Sequence, residues 1–153
     1  MHSRIFQVSL KPINKEDYIE ESTYWEHWFV NSIADYVVDS NDRNYDINWL
    51  KNCARGYTVG NDTNGEYLII TNRTEYFQHA FNRFQDMLNA IKNSTIDDFA
   101  TGIHEIWGLK NAYEDKFGFY IDADGELMTF DSFVRHCTTE EKYYIGGTVD
   151  YHC

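Results

Sequence analysis

Alternating apolar and polar side chains predict strands near both ends of the chain. Residues 4–10 have this composition, and the Lys-Pro pair that follows them predicts where the first strand ends. Residues 142–152 are also rich in strand-forming side chains. Gly146 and Gly147 interrupt that last run, and they predict either a β-bulge or a tight turn.

Two β-hairpins are predicted between these strands. Residues 57–59 and 66–71 flank an Asn-Gly pair, which is typical of two-residue hairpin turns. Residues 117–122 and 126–130 flank an Asp-Gly pair in the same way. If the Asp-Gly pair forms the loop, every large apolar side chain of this second hairpin shares one face of the sheet. The predicted cross-strand pairs are Ile121 with Met128 and Phe119 with Phe130.

Capping patterns followed by apolar residues at helical spacing predict four helices. The first begins at Thr23 and has about four turns, the second runs from Asp46 to a stop at Gly56, the third begins at Asn72 and the fourth at Thr95. We expect the third and fourth helices to pack as a helical hairpin. The apolar faces of the first, third and fourth helices are predicted to consist of Trp25, Trp28, Phe29, Ile33, Tyr36 and Val37; of Phe77, Phe81, Phe84, Leu88 and Ile91; and of Ile96, Phe99, Ile103, Ile106 and Trp107.

This order of elements predicts the α+β class: a mainly antiparallel sheet of about five or six strands with about four helices packed on one side. The chain of 153 residues has the length of one domain, and it contains no Gly-, Ser- or Pro-rich stretch long enough to be a linker. We therefore interpret residues 1–153 as a single domain.

The sequence favours a cytoplasmic protein. Its first ten residues lack the apolar run and the small-residue cleavage site of a signal peptide, and no later run of about 18 apolar residues could span a membrane. The three cysteines are an odd number, and a domain of this length does not need disulfides, which favours reduced thiols.

Two groups of residues invite a metal hypothesis, and both fail on spacing. Carboxylates alternate before Gly125 as in a calcium loop, but Tyr120 stands at the first ligand position and strands flank the loop. The dipeptides His136-Cys137 and His152-Cys153 contain a zinc-type set of donors, but adjacent residues of a strand point to opposite faces. We predict no metal and no cofactor.

Charge is the remaining signal. The formal net charge is −12, and residues 94–153 alone contain 12 acidic and 4 basic side chains, interleaved with tyrosines and tryptophans. Such a surface repels phosphates, so direct binding of nucleic acid is disfavoured. A basic protein would be attracted to it, with aromatic anchors supplying affinity and charge supplying the association rate.

These features lead to the hypothesis of a non-enzymatic inhibitor that occludes a basic, nucleic-acid-handling partner by phosphate mimicry, as anti-CRISPR, antirestriction and nuclease-immunity proteins do. The alternative explanation of the charge is a solvated surface that only keeps the protein dispersed. The residues predicted to bind the partner are Asp97, Asp98, Glu114, Asp115, Asp122, Asp124 and Glu126, with Tyr113 and Tyr120 as aromatic anchors.

Two other functions stay open at this point. A small metal- or Cys/His-dependent hydrolase would use His136, Cys137, His152 or Glu105, or a cysteine nucleophile such as Cys53, and would need at least two of these side chains to converge. A self-associating subunit would use an exposed sheet edge at residues 142–151.

Overall fold

The computed structural model describes all 153 residues. It contains seven strands and five α-helices, together with two single 3₁₀ turns at Lys15–Asp17 and Glu21–Tyr24. None of the helices is both long enough and apolar enough to cross a membrane, and the three cysteines form no disulfide. The elements are β1 (His2–Ser9), β2 (Tyr36–Asp39), α1 (Arg43–Asn52), β3 (Tyr57–Asp62), β4 (Gly65–Ile70), α2 (Arg73–Lys92), α3 (Ile96–Thr101), α4 (Glu105–Tyr113), β5 (Tyr120–Ala123), β6 (Glu126–Thr129), α5 (Phe130–His136) and β7 (Tyr143–His152).

All seven strands join one mixed sheet with the order β3-β4-β7-β1-β5-β6, and β2 pairs with the second half of β7 beside β4. The pairing of β1 with β5 is parallel, and every other pairing is antiparallel. The predicted α+β class is confirmed, with more strands and one more helix than the sequence indicates.

The second predicted hairpin has the register that its turn chemistry and alternation require. Ile121 pairs with Met128, and the amide of Phe130 donates to the carbonyl of Phe119 over 2.8 Å. Gly125 adopts a positive φ of 90° in the connecting turn. The first hairpin also forms, although its two-residue loop is Thr63-Asn64 and its glycine begins β4.

The Gly146-Gly147 pair forms a β-bulge. The register of β7 against β1 shifts between Phe6 and Val8, and the side-chain oxygen of Gln7 accepts the amide proton of Gly147 over 2.9 Å. A regular strand would place all its odd-numbered residues on one face, but here Ile145 lies in one core and Val149 in the other. Since β7 has neighbours on both sides, residues 142–151 are not a sheet edge, and the prediction of self-association there is wrong.

Each face of the sheet is covered by a different kind of structure. The α-helices cover the first face, where α1, α5 and the base of α2 contribute Leu50, Phe133 and Phe77 to or against the core. The irregular segment between β1 and β2 covers the second face with Tyr24 and Phe29. The helices therefore pack on one side, as predicted, while the opposite face is buried without helices.

The helix predicted from Thr23 to Val37 is wrong. Only a 3₁₀ turn forms, and Asn31 adopts a positive φ of 71° that ends any helical run. The apolar residues of this stretch divide between the second core and solvent, because Phe29 packs against the sheet while Trp25 does not.

The fourth predicted helix is divided. Gly102, with a φ of 111°, separates α3 from α4. The predicted capping box is confirmed, since Thr95 and Asp98 exchange backbone-to-side-chain hydrogen bonds. Helix α4 returns along α2 as a helical hairpin, and Gly108 lies against the Met87 side chain. We call residues 73–113 the helical arm.

Much of the apolar face predicted for the helical arm is exposed. Ile96, Phe99 and Trp107 are 79%, 71% and 76% exposed, although the sequence predicts them inward. No residue of α2 is fully buried. The base of the arm is tied to the sheet by hydrogen bonds from Arg73 to the carbonyls of Val134 and Cys137.

A buried carboxylate lies beneath α1. Asp46 is predicted to cap this helix, but Asp42 caps it instead and Asp46 lies inside its first turn. The Asp46 carboxylate is 1% exposed and is paired with the Arg4 guanidinium at 2.5 Å. It also accepts hydrogen bonds from the hydroxyls of Ser40 and Thr148. This group joins β1, β7 and α1 and has no free oxygen for chemistry.

Candidate protein-binding surface

Two of the nine predicted binding residues lie inside the molecule. Tyr120 is 2% exposed and packs in the second core, where its hydroxyl donates to the carbonyl of Lys116. Asp122 is 4% exposed and accepts hydrogen bonds from Tyr24 and from the amide of Gly125. The sequence pattern that places apolar residues on one face of β5 does not reveal that the opposite face is covered as well. The prediction that Tyr120 and Asp122 bind a partner is therefore wrong, and both residues stabilise the fold instead.

The other predicted residues come from three separate elements of the fold. They lie in three groups: Asp97 and Asp98 on α3, Tyr113 with Glu114 and Asp115 at the end of α4, and Asp124 with Glu126 at the β5–β6 turn. Along the chain, α4 lies between the first and second groups, and β5 lies between the second and third.

Several of these carboxylates also have local structural partners. Asp98 accepts the amide of Thr95 at 2.8 Å, which lowers the pKa of its carboxyl. Glu114 accepts the hydroxyl of Thr129 at 2.6 Å, and Asp115 accepts the amide of Phe117 at 3.0 Å. Carboxylates used in this way stabilise turns and helix ends, and this structural role explains their positions without a binding partner.

The structure brings a different acidic region to the β5–β6 hairpin. The Tyr24 hydroxyl donates to the Asp122 carboxylate over 2.7 Å, across 98 residues of sequence. Burial, together with this negative neighbour, raises the pKa of Tyr24 far above its ordinary value, so the phenol remains a donor. The contact fixes the segment around Tyr24 beside the hairpin that carries Asp124.

Two tryptophans of that segment are open to solvent. Trp25 is 69% exposed and Trp28 is 55% exposed. Trp28 is held by its neighbours, since its ring lies 5.4 Å from that of His27 and 6.0 Å from that of Phe29. Glu20, Trp25, Glu26 and Trp28 are exposed on this segment, and Asp124 is exposed on the hairpin that Tyr24 contacts; we call these five residues the acidic aromatic face.

The segment that carries both tryptophans is strongly acidic. The stretch from Lys11 to Asp42 contains eight acidic side chains and two lysines, a net charge of −6 and half the net charge of the chain. The predicted helix concealed this surface, because it assigned Trp25 and Trp28 to an inward stripe. One feature of the sequence could have indicated this surface: residues 16–42 contain many carboxylates, too many for a helix that packs closely against the sheet.

The residues proposed for a hydrolase do not converge. No hydrogen bond joins any two of His136, Cys137, His152 and Glu105, and no group of three or more His, Cys, Asp or Glu side chains could hold a metal ion. The ring of His136 bonds to the carbonyl of Ser132 at 2.8 Å. Burial raises the pKa of the Cys137 thiol, which disfavours the nucleophilic thiolate.

Cys53 lies in a cavity, where a catalytic cysteine could reach a substrate, but no base is hydrogen-bonded to its thiol. It lines a cavity of about 360 Å³ together with His2 and Asp131. His2 Nδ1 is engaged with Asp150 at 3.1 Å, and Asp131 accepts the hydroxyl of Tyr76 at 2.8 Å. No hydrogen bond connects the thiol to either group, so the cavity has no activated nucleophile.

Comparisons of the chain with protein-family models, with curated proteins and with solved structures give no match.

Proposed function

We propose that this protein is a non-enzymatic interaction protein that binds a basic, nucleic-acid-handling protein and occludes its phosphate-binding surface, as antirestriction, anti-CRISPR and nuclease-immunity proteins do. The observation that carries the proposal is the pair of exposed tryptophans, Trp25 and Trp28, within a segment of net charge −6. The binding surface in this proposal is the acidic aromatic face, which keeps only Asp124 of the nine residues indicated by the sequence.

The two kinds of side chain have separate tasks in this mechanism. Carboxylates such as Glu26 and Asp124 occupy the positions of phosphates against lysine and arginine of the partner, and they accelerate association by attraction at a distance. Trp25 and Trp28 fill pockets between those basic side chains, where tryptophan supplies large contact area and stacks well on guanidinium groups.

A purely solubilising role explains the charge but not the tryptophans. Carboxylates alone keep a protein dispersed, whereas exposed tryptophans work against dispersal. The presence of two exposed tryptophans beside the acids therefore favours recognition over solvation.

The test is affinity capture from a lysate of the host cell, followed by binding measurements on the captured protein. We expect a basic protein that elutes at high salt, since screening weakens attraction between exposed charges. The double variant Trp25→Ala/Trp28→Ala should bind it at least about tenfold more weakly. The double variant Glu26→Gln/Asp124→Asn should mainly slow association and reduce the dependence on salt.

Trp107→Ala is the matched control, because Trp107 is an equally exposed tryptophan on the helical arm. It should leave the affinity unchanged, and a thermal melt of each variant should show that the fold is intact. Capture of no basic protein, or binding that is indifferent both to salt and to loss of Trp25 and Trp28, would contradict the proposal.

A further inference from the structure

The helical arm has an apolar face. In α2, Phe81 and Leu88 are seven residues apart, so they lie in line on the same side of the helix. In α4, Ile106 and Tyr113 have the same spacing. Phe81 and Tyr113 line one groove, which places both pairs on the same side of the two-helix layer. We call these four residues the arm face; they are 42 to 57% exposed.

The groove lies at the base of the arm face, between α2 and α4. Its volume is about 320 Å³, and six of its seven lining residues are hydrophobic. The Arg135 guanidinium closes one end, stacked 4.2 Å from the Tyr113 ring and 4.5 Å from the Phe77 ring. The other end opens along the arm toward Leu88 and Ile106, whose side chains project from the layer.

Charge distinguishes the arm from the rest of the molecule. The helical arm contains five acidic and four basic side chains, a net charge of −1. The remainder, residues 1–72 and 114–153, which we call the sheet region, contains twenty acidic and nine basic side chains, a net charge of −11. A basic partner is therefore attracted to the sheet region, whereas another copy of this chain is repelled everywhere except at the arm.

We propose that the arm face docks on the arm face of a second copy of this chain. A two-fold axis across the face pairs the arms antiparallel and makes the interface self-complementary, as an isologous dimer requires. Leu88 lies about 10 Å along α2 from Phe81. In this arrangement Leu88 and Ile106 of each copy therefore enter the groove of the other, and the two layers form a four-helix arrangement.

The arm face supplies about half of a standard interface. At roughly 200 Å² for a fully exposed large side chain, its four residues present on the order of 400 Å² per copy. The proposed contact therefore includes Ile96 and Phe99 of α3, which are 79% and 71% exposed and bring the total to on the order of 700 Å². A standard specific interface buries about 800 Å² on each partner.

Sedimentation velocity over a range of concentrations tests the proposal. The unaltered protein should form a dimer. Phe81→Glu and Leu88→Glu should each weaken dimerisation by at least about a hundredfold, because each substitution occurs twice in a two-fold symmetric interface. Trp107→Glu is the control. Trp107 follows Ile106 by about 100° around α4 and lies off the arm face, so this variant should dimerise normally.

Salt separates this proposal from the proposed function. Higher ionic strength screens the repulsion between the two acidic sheet regions and should tighten the dimer, whereas it should weaken binding of a basic partner. Circular dichroism of the variants excludes unfolding as the cause of dissociation. A monomer at all concentrations and salts would overturn the proposal and leave the arm face to a different protein. Dissociation by Trp107→Glu but not by Phe81→Glu would also overturn it.

Discussion

The sheet region and the helical arm of this protein follow opposite rules. In the sheet region both faces are covered and two apolar cores form, while the surface has a net charge of −11. In the arm no residue of α2 is fully buried, and large apolar side chains such as Phe99 face solvent beside a net charge of only −1. Stability resides in one region, and apolar surface free for contact resides in the other.

This division has a physical consequence for association. An exposed apolar patch on a neutral protein would attract many partners indiscriminately, but strong like charge on the rest of the molecule limits which surfaces can approach. The arm can therefore remain apolar without causing aggregation, since copies that meet in any other orientation repel one another.

Substitution of Asp46 should reveal the difference between the regions most strongly. Asp46→Ala removes one of the two carboxylates that pair with Arg4, the other being Asp150, and leaves the Ser40 and Thr148 hydroxyls unpaired. We expect the free energy of unfolding to fall by about 3 kcal/mol, the lower end of the range for broken buried ion pairs, because Arg4 keeps Asp150. Urea unfolding followed by circular dichroism measures it.

The same change in the arm is the control. Asp97 is exposed and its side chain makes no hydrogen bond, so Asp97→Ala should alter the free energy of unfolding by no more than about 0.5 kcal/mol. Equal effects of the two substitutions would mean that the regions do not differ in the way described.

Removal of one hydroxyl should have the next largest effect. Tyr24→Phe deletes the hydrogen bond to the buried Asp122 carboxylate and leaves that oxygen without a donor. The expected loss is about 1.5 to 3 kcal/mol, the usual range for a hydrogen bond to a charged group. Amide exchange should accelerate at the β5–β6 turn. Tyr45→Phe removes an exposed hydroxyl that makes no hydrogen bond, and a similar loss there would contradict the role given to Tyr24.

The sequence predicts those elements whose conformation depends on neighbouring residues of the chain. The β5–β6 hairpin follows from its turn residues and its alternation, and α2 follows from its Asn72 cap and its 3.6-residue period. The stretch between β1 and β2 does not follow in this way. Phe29 is buried there by residues distant in sequence, such as Tyr120 and Tyr151, whose rings lie within 5.0 Å. Helical periodicity cannot represent a segment whose conformation is set by the sheet beneath it.

The sequence predicts the chemical character of the candidate surface, acidic and aromatic, but not the residues that form it. Composition indicates an acidic protein with many aromatic residues, and both features lie at the acidic aromatic face. Their location depends on contacts such as Tyr24 with Asp122, which join residues far apart in sequence. Apolar periodicity also cannot distinguish a helix face covered by its own chain from one left open, so it predicts Ile96 and Trp107 inward although both are exposed.

A substitution of an apolar residue in the arm should have only a small effect on folding. Trp107 is 76% exposed and its side chain makes no hydrogen bond, so Trp107→Ser should change the free energy of unfolding by no more than about 0.5 kcal/mol. Phe29→Ser in the second core should cost several times more, at least about 3 kcal/mol. Thermal melts of both variants at equal concentration provide the comparison. A large loss for Trp107→Ser would show that the arm has a core of its own.

The smallest expected effect is a difference in the pH dependence of two carboxyls. Burial raises the pKa of Asp131, at the junction of arm and sheet, above its ordinary value of 3.8, while the Thr95 amide lowers the pKa of exposed Asp98 below it. Asp131 therefore stabilises the fold in its protonated form, and this contribution is lost as the pH rises from about 3.8 through its folded pKa. Asp98 stabilises the fold as a carboxylate, and its contribution is lost as the pH falls below 3.8.

Carbon-13 NMR titration of the side-chain carboxyls should place the midpoint of Asp131 above 3.8 and that of Asp98 below it. Asp131→Asn should remove the decline in stability between pH 3.8 and the folded pKa of Asp131, while Asp98→Asn should affect only more acidic conditions. An Asp131 midpoint at or below 3.8 would contradict this prediction. It would mean that the donors facing the carboxylate, the Tyr76 hydroxyl and the Asp115 amide, outweigh the effect of its burial on the pKa. In that case Asp131 would stabilise the junction of arm and sheet as a carboxylate, as Asp98 stabilises the start of α3.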